Sequence, residues 1–179
     1  MKLLVLDLDE TLVHAAEAPL AGSWDFSFHC YYVYKRPYLD RFIKYCLNNF
    51  QVAVWTSSSE SYANEIVRNV FPDPTELKFI FARNKCVHRF DSEFVDYYYL
   101  KDLNKVKKIG YSLKDIIAVD DSPEKFKRHY GNLVRIKPFE GDGGDSELLR
   151  LINYLEVLKH ADNIRTIEKR GWHVNVEIC

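Results

Sequence analysis

The chain has 179 residues and a formal net charge of −1, with 47% apolar, 28% charged and 15% aromatic residues. That length fits one domain with enough chain to bury a core, and the near-zero charge argues against a global field for nucleic acid or an anionic membrane. Cys30, Cys46, Cys86 and Cys179 form no C-x-x-C and no zinc-type spacing. They read as reduced thiols, the first three buried and Cys179 terminal, which suits a cytosol-like compartment. No repeat or low-complexity tract is visible. The amino-terminal apolar run is too short for a signal peptide or a membrane span, so the expected location is cytoplasmic, or nuclear in a eukaryote, with no membrane partner.

In chain order, residues 2–7 form an apolar strand that ends in Asp7 and Asp9, followed by Thr11. Residues 12–23, with Pro19 and Gly22, have no clear period and read as a loop. Trp24, Phe26 and Phe28 alternate with polar residues, and Tyr32 and Tyr34 follow, which predicts a small aromatic hairpin at about 22–35. A helix starts from Pro37, carrying Leu39, Phe42, Ile43, Cys46 and Leu47 on one face. Gln51–Trp55 is a second core strand running into Thr56-Ser57-Ser58-Ser59, and a helix capped by Ser58 or Ser59 follows to about Val70. Leu77–Phe81 reads as a strand and 82–100 as an irregular aromatic stretch ending in Tyr97-Tyr98-Tyr99, expected at core and rim. Ile116–Val119 is the third core strand and ends in Asp120-Asp121-Ser122-Pro123. A short helix after Pro123, a strand over Leu133–Ile136 and a helix from about Asp145 to His160 complete the pattern. Asp145 or Ser146 is the expected cap of that last helix.

Alternating strands and helices predict a parallel sheet covered on both faces. Core strands in such a sheet deliver their carboxyl ends to one edge, so Asp7 and Asp9, Thr56 and Ser57, and Asp120 and Asp121 converge there. The D-x-D string does not fit a calcium loop, because the position where that loop needs glycine is Leu12 and a strand precedes it. A plain acidic turn is the other reading of that string taken alone. Clustered carboxylates repel unless a cation or shared proton relieves them. With Mg²⁺, the set suits phosphoryl transfer. Asp7 is the candidate nucleophile and Asp9 the general acid/base, its backbone carbonyl also facing the metal. Thr56, the Ser57 amide and Lys101 are candidates to hold the phosphoryl oxygens. Lys105, Lys107 and Lys108, with Lys125, Lys127, Arg128 and His129, are the basic clusters and read as solvated faces.

The strings DLDETLVH (7–14), KRP (35–37), VWTSSS (54–59), KDL (101–103) and VDDSP (119–123), and more weakly DSELLRLI (145–152), occur in one order along nearly the whole chain. This set resembles haloacid-dehalogenase-type phosphatases of the FCP/SCP (NIF-like, C-terminal-domain phosphatase) branch. The resemblance implies an α/β Rossmann-like fold over residues 1–179, with a small hairpin insertion and no large cap. It implies an aspartyl-phosphate on Asp7, acid/base work by Asp9, phosphate binding by Thr56 and Lys101, and a Mg²⁺ site at Asp7, Asp9, Asp120 and Asp121. Asp121 is the expected direct ligand, with Asp120 behind it; the related small phosphatases usually carry Asn at the second position, so Asp121 is a departure. Arg83 and Cys86 match an R-x-x-C beside the substrate groove, with Cys86 packing. Thr11, Arg83, Trp24 and Phe28 are the candidate substrate contacts.

An uncapped site favours a phosphoserine or phosphothreonine displayed on a protein. Phosphatases of polynucleotide ends or of a small metabolite, and a non-catalytic binding module of the same fold, are the alternatives.

Overall fold

The computed structural model describes residues 1–91 and 96–174; Cys179 lies outside them. The first strand, β1 (Leu3–Leu6), is apolar throughout and buried on both faces, as a central parallel strand must be. After it come β2 (Val13–Ala16), β3 (Phe26–Phe28), β4 (Tyr31–Lys35), α1 (Leu39–Asn49), β5 (Gln51–Trp55), α2 (Glu60–Val70) and β6 (Ile80–Phe81). The chain continues through β7 (Val87–Asp91), β8 (Asp96–Leu100), α3 (Asn104–Lys107), β9 (Ile116–Asp120), β10 (Leu133–Arg135) and α4 (Glu147–Lys159).

The main sheet has the order β10-β9-β1-β5-β6, and its pairings are parallel. Leu6 stands level with Val54 and Val119. One step further, Asp7 comes level with Trp55 and Asp120, and its amide donates to the Val119 carbonyl over 3.0 Å. Register alone therefore brings the three polar strand ends to one edge.

Alternation divides the core. Leu4, Leu6, Val52, Val54, Ile117 and Val119 meet α1, α2 and α4 through residues such as Phe42, Ile66 and Leu155. Leu3, Val5, Ala53, Trp55, Ile116 and Ala118 face Leu103, Val106 and Phe126 on the other side. Each buried Leu, Ile, Val or Phe among them contributes about 1.5–3 kcal/mol. Helices thus cover both faces unequally: three on one, and the single turn α3 with 3₁₀ segments on the other. Among the described residues no helix is long and apolar enough to cross a membrane.

Several local expectations change. Residues 13–16, expected as loop, pair with β4 and complete a three-stranded antiparallel sheet, β2-β4-β3. Four residues with two alanines carry too little alternation to announce a strand; the partner recruits them. Of the strand expected at 77–81, Ile80–Phe81 forms β6, and Lys78 and Phe79 before it also hydrogen-bond to β5, Lys78 through its amide to Val52 and Phe79 through its carbonyl to Val54. The stretch expected to be irregular at 82–100 contains the antiparallel hairpin β7–β8. The helix after Pro123 is a 3₁₀ turn, Pro123–Phe126. Ser59 caps α2 by accepting from the Tyr62 amide. At α4 the side-chain cap is Asp145, which accepts from the Glu147 amide over 2.9 Å. Cys46 is buried and Cys86 half-buried, but Cys30 is exposed, because it sits in the tight connection between β3 and β4.

The KRP and DSEL strings explain one another. Arg36 is buried and forms a two-pronged pair with Asp145, at 2.9 and 2.8 Å. It also donates to the Thr11 and Lys137 carbonyls. One guanidinium thereby ties the segment after Asp9 to β4 and to the start of α4.

Candidate active site

Asp7 is buried at the end of β1 between two ammoniums: Lys101 Nζ lies 2.8 Å from Oδ1 and Lys125 Nζ 3.3 Å from Oδ2. Lys101, itself buried, also pairs with Asp120 Oδ2. Burial by itself would push the Asp7 carboxyl up, but the two lysines outweigh it and hold the group below the ordinary carboxylate range. The Lys125 ammonium is correspondingly raised by Asp7, Asp120 and Asp121 against its own desolvation.

Asp9 has the opposite surroundings. Its Oδ1 accepts from the Tyr62 hydroxyl, and its Oδ2 from Ser58 Oγ at 2.7 Å and Thr56 Oγ1 at 3.4 Å. Burial raises the Asp9 carboxyl, with the Asp7 charge adding to the rise, while the Tyr62 and Ser58 hydrogen bonds pull it partly back. Two carboxyls two residues apart are thus pushed in opposite directions, the arrangement that separates a nucleophile from an acid/base.

Asp7, Asp120 and Asp121 offer carboxylate oxygens that all lie within 4.8 Å of one another. Burial and the Asp7 charge push the Asp120 carboxyl up to about 7, against Lys101 and Lys125. Asp120 Oδ1 accepts the Ser122 amide, and Asp121 Oδ2 the Ser122 hydroxyl. Asp121 Oδ1 is a buried oxygen with no hydrogen-bond partner among the described residues. Three hard oxygen donors, two neighbouring carboxyls of which Asp7 raises Asp120, and a buried acceptor without a donor among the described residues fit an octahedral divalent cation such as Mg²⁺. The Asp9 carboxylate is not part of this cluster; its two oxygens accept from the Tyr62, Ser58 and Thr56 hydroxyls.

The cleft beside these groups, about 570 Å³, is lined by Asp9, Glu10, Ser57, Ser58, Tyr62 and Lys125 from below and by Phe28, His29, Tyr31 and Arg83 at the rim. Arg83 Nε donates to the Ser57 carbonyl over 2.7 Å, and its guanidinium lies 5.4 Å from the Tyr99 ring centre. Phe28 meets Tyr62 edge to face at 5.8 Å. Thr56 is buried beneath, its Oγ1 accepting the Ser58 amide. Trp24, exposed and packed on Tyr32, is not among the lining residues. Thr11 is fully buried and serves Arg36 through its carbonyl.

Sequence reasoning missed four of these residues. Lys125, read as part of a solvated basic face, reaches Asp7 because Pro123 starts a 3₁₀ turn that points position 125 back at the site. Ser58 and Tyr62 hold Asp9; their i, i+4 spacing across the start of α2 was the available signal. Glu10 lines the cleft with a left-handed backbone at φ 55° and a carboxyl raised to about 7 by burial and the neighbouring aspartates.

A family model described as NLI interacting factor-like phosphatase matches residues 2–165. The chain is 33% identical to CTD small phosphatase-like protein 2 of Dictyostelium discoideum, over 90% of this chain and 28% of that protein. It is 28% identical to CTD nuclear envelope phosphatase 1 of Xenopus laevis, over 96% of this chain and 73% of that protein. The chain spans only 28%, 41% and 54% of three of the curated relatives it matches. Among solved structures, fission yeast RNA polymerase II CTD phosphatase Fcp1 bound to beryllium fluoride superposes with a TM-score of 0.59. That match has 18% identity and covers 82% of this chain and 44% of the other, a likeness of fold.

Proposed function

The chain belongs to the NLI interacting factor-like phosphatase family, and from that premise we propose that it hydrolyses phosphoserine or phosphothreonine esters of a protein through a phosphorylated Asp7. The observation that carries this reading is the contrast between Asp7, held ionised by Lys101 and Lys125, and Asp9, raised by burial under three hydroxyl donors.

Asp7 attacks phosphorus, and the ester P–O bond breaks as Asp9 gives its proton to the leaving alkoxide. Asp9, now ionised, takes a proton from water, whose oxygen attacks the phosphoryl group and frees Asp7 and inorganic phosphate. Lys101 and Lys125 offset the charge that gathers on the phosphoryl oxygens. The Ser57–Ser58 turn, shaped by Thr56 Oγ1, faces the cleft where those oxygens would sit. Mg²⁺ would be held by Asp7, Asp120 and Asp121, and supplies charge neutralisation at the phosphate. A protein substrate is favoured because, among the described residues, the cleft is flanked by the small β2-β4-β3 sheet and by Arg83 packed on Tyr99 of β8, leaving room for a phosphate carried on a chain.

The test is hydrolysis of an aryl phosphate and of phosphoserine peptides with Mg²⁺, with acid quench and mass spectrometry. Turnover with phosphate trapped on the peptide containing Asp7 supports the reading; turnover that survives Asp7→Asn refutes it.

A further inference from the structure

A second cavity, about 660 Å³, lies between β10, an edge strand of the main sheet, and the segment that follows α4. Leu133 and Arg135 border it from one face of β10, while Val134 turns to the helices on the other. Arg165, Ile167 and Lys169 border it from the facing segment, and Tyr130 stands beside them. None of its lining residues lines the active cleft.

The charge of this lining is one-sided. Glu168 is its one acid among the described residues, and it is engaged by Arg170 at 3.0 and 2.7 Å. The guanidiniums of Arg135 and Arg165 have no ion pair among the described residues. Lys169 is 8% exposed, and its ammonium donates to the carbonyls of Gly131 and Ile167, each at 2.9 Å, and of Ile164. Carbonyls satisfy its donors but bring no net negative charge. Burial pulls this ammonium below its ordinary range; Glu168 partly offsets the fall, and the Arg165 charge adds to it. Buried ions are normally paired, so a cavity bordered by three uncompensated cations has the charge of an anion site. Tyr130 adds a flat apolar face. It is 80% exposed, and its ring has no stacking partner among the described residues.

We infer that this cavity binds a nucleoside phosphate, with Arg135 and Arg165 holding the phosphate and the Tyr130 ring carrying the base. Guanidiniums match phosphate oxygens two at a time. An open tyrosine face beside Leu133 and Ile167 suits a base, which stacks on aromatic side chains whatever its sequence. The volume lies inside the range of about 300–1,000 Å³ typical of small-molecule sites. A bare phosphate or an acidic peptide would leave the ring unused, and a long nucleic acid would need a cationic track running beyond the cavity.

Calorimetric titration with AMP, in chelator so that the catalytic carboxylates hold no metal, tests this on the unaltered chain and three variants. The pair Arg135→Ala and Arg165→Ala should weaken AMP by about tenfold or more, since charge-assisted hydrogen bonds are lost. Tyr130→Ala should weaken it by about fivefold or more, the size of a lost base stack. Asp7→Asn should leave it within about twofold, because Asp7 lies outside the cavity. Inorganic phosphate should bind more weakly than AMP and be indifferent to Tyr130→Ala. The groove variants should unfold at the temperature of the unaltered chain, the three side chains being exposed. AMP binding that is lost in Asp7→Asn and kept in the arginine pair belongs to the active cleft and overturns the inference. So does equal binding of phosphate and AMP with no effect of Tyr130→Ala, or no saturable binding of AMP at millimolar concentration. An oligonucleotide that binds through these arginines where AMP does not overturns it as well.

Discussion

The Lys101 amide donates to the Lys125 carbonyl over 2.8 Å. The two lysines whose ammoniums flank Asp7 are therefore fastened to each other through their backbones, although 24 residues, the difference of their numbers, separate them. The fastening is reinforced one residue on. Asp102 accepts from Arg128 at 3.0 Å and lies 2.8 Å from His129 Nε2, which holds the segment after Pro123 against the end of β8. Displacing either segment moves both charges.

Lys125→Ala should lower kcat on an aryl phosphate by about a hundredfold or more, the usual cost of removing a preorganised charge from a developing oxyanion. The fold should survive, since Lys125 is partly solvent-exposed and, among the described residues, its ion pairs are with Asp7 and Asp120 of the site. A loss of threefold or less, about 0.6 kcal/mol of barrier, would return Lys125 to the solvated surface the sequence suggested.

Asp9→Asn should uncouple the two half-reactions. Attack on an ester with a good leaving group needs little protonation, whereas hydrolysis of the aspartyl-phosphate needs a base. Acid-quenched samples should therefore contain phosphorylated Asp7 in excess over the unaltered chain. Slowing of both steps with no adduct would remove Asp9 from the base role.

Tyr62→Phe deletes the hydroxyl that donates to Asp9 Oδ1. That donor lowers the Asp9 carboxyl, so its loss should raise the group further. The base form then persists only at higher pH, and the acidic limb of the rate profile should shift upward in pH while the plateau above it changes less. An unmoved limb would mean that a group other than Asp9 governs it.

Chelator should abolish turnover, and added Mg²⁺ should restore it. Asp121→Ala should raise the Mg²⁺ concentration giving half-maximal rate by about tenfold or more, equivalent to about 1.4 kcal/mol. Titration of rate against Mg²⁺ in both proteins measures this. Identical titrations would show that the unpartnered Asp121 oxygen does not face the ion.

Asp145→Ala should destabilise the fold by about 3–5 kcal/mol, because it leaves the Arg36 guanidinium buried without its carboxylate. Urea unfolding gives the value. Burial opposes ionisation of Asp145, but Arg36 prevails and its carboxyl lies below 3.8. Its contribution is thus complete above about pH 4 and is lost as pH falls through the lowered value. The variant should show a flatter acid limb of stability than the unaltered chain.

The amino-acid order alone determined the central strands, their order along the chain and the polar residues at their ends. Leu3–Leu6, Gln51–Trp55 and Ile116–Asp120 are short apolar runs, and an apolar run that stops at a carboxylate or hydroxyl is a local signal. Tertiary structure decided what those ends touch. Lys125 became a partner of Asp7 through a turn, Tyr62 and Ser58 became partners of Asp9 through the start of a helix, and Arg36 found Asp145 from 109 residues away. The β7–β8 hairpin and β2 were likewise hidden, because cross-strand pairing rather than periodicity within each segment makes them strands. Packing did the rest: burial raises both the Asp7 and the Asp9 carboxyl, and Lys101 and Lys125, which the fold sets beside Asp7, pull that one down; neither the burial nor the pairing is contained in any window of sequence.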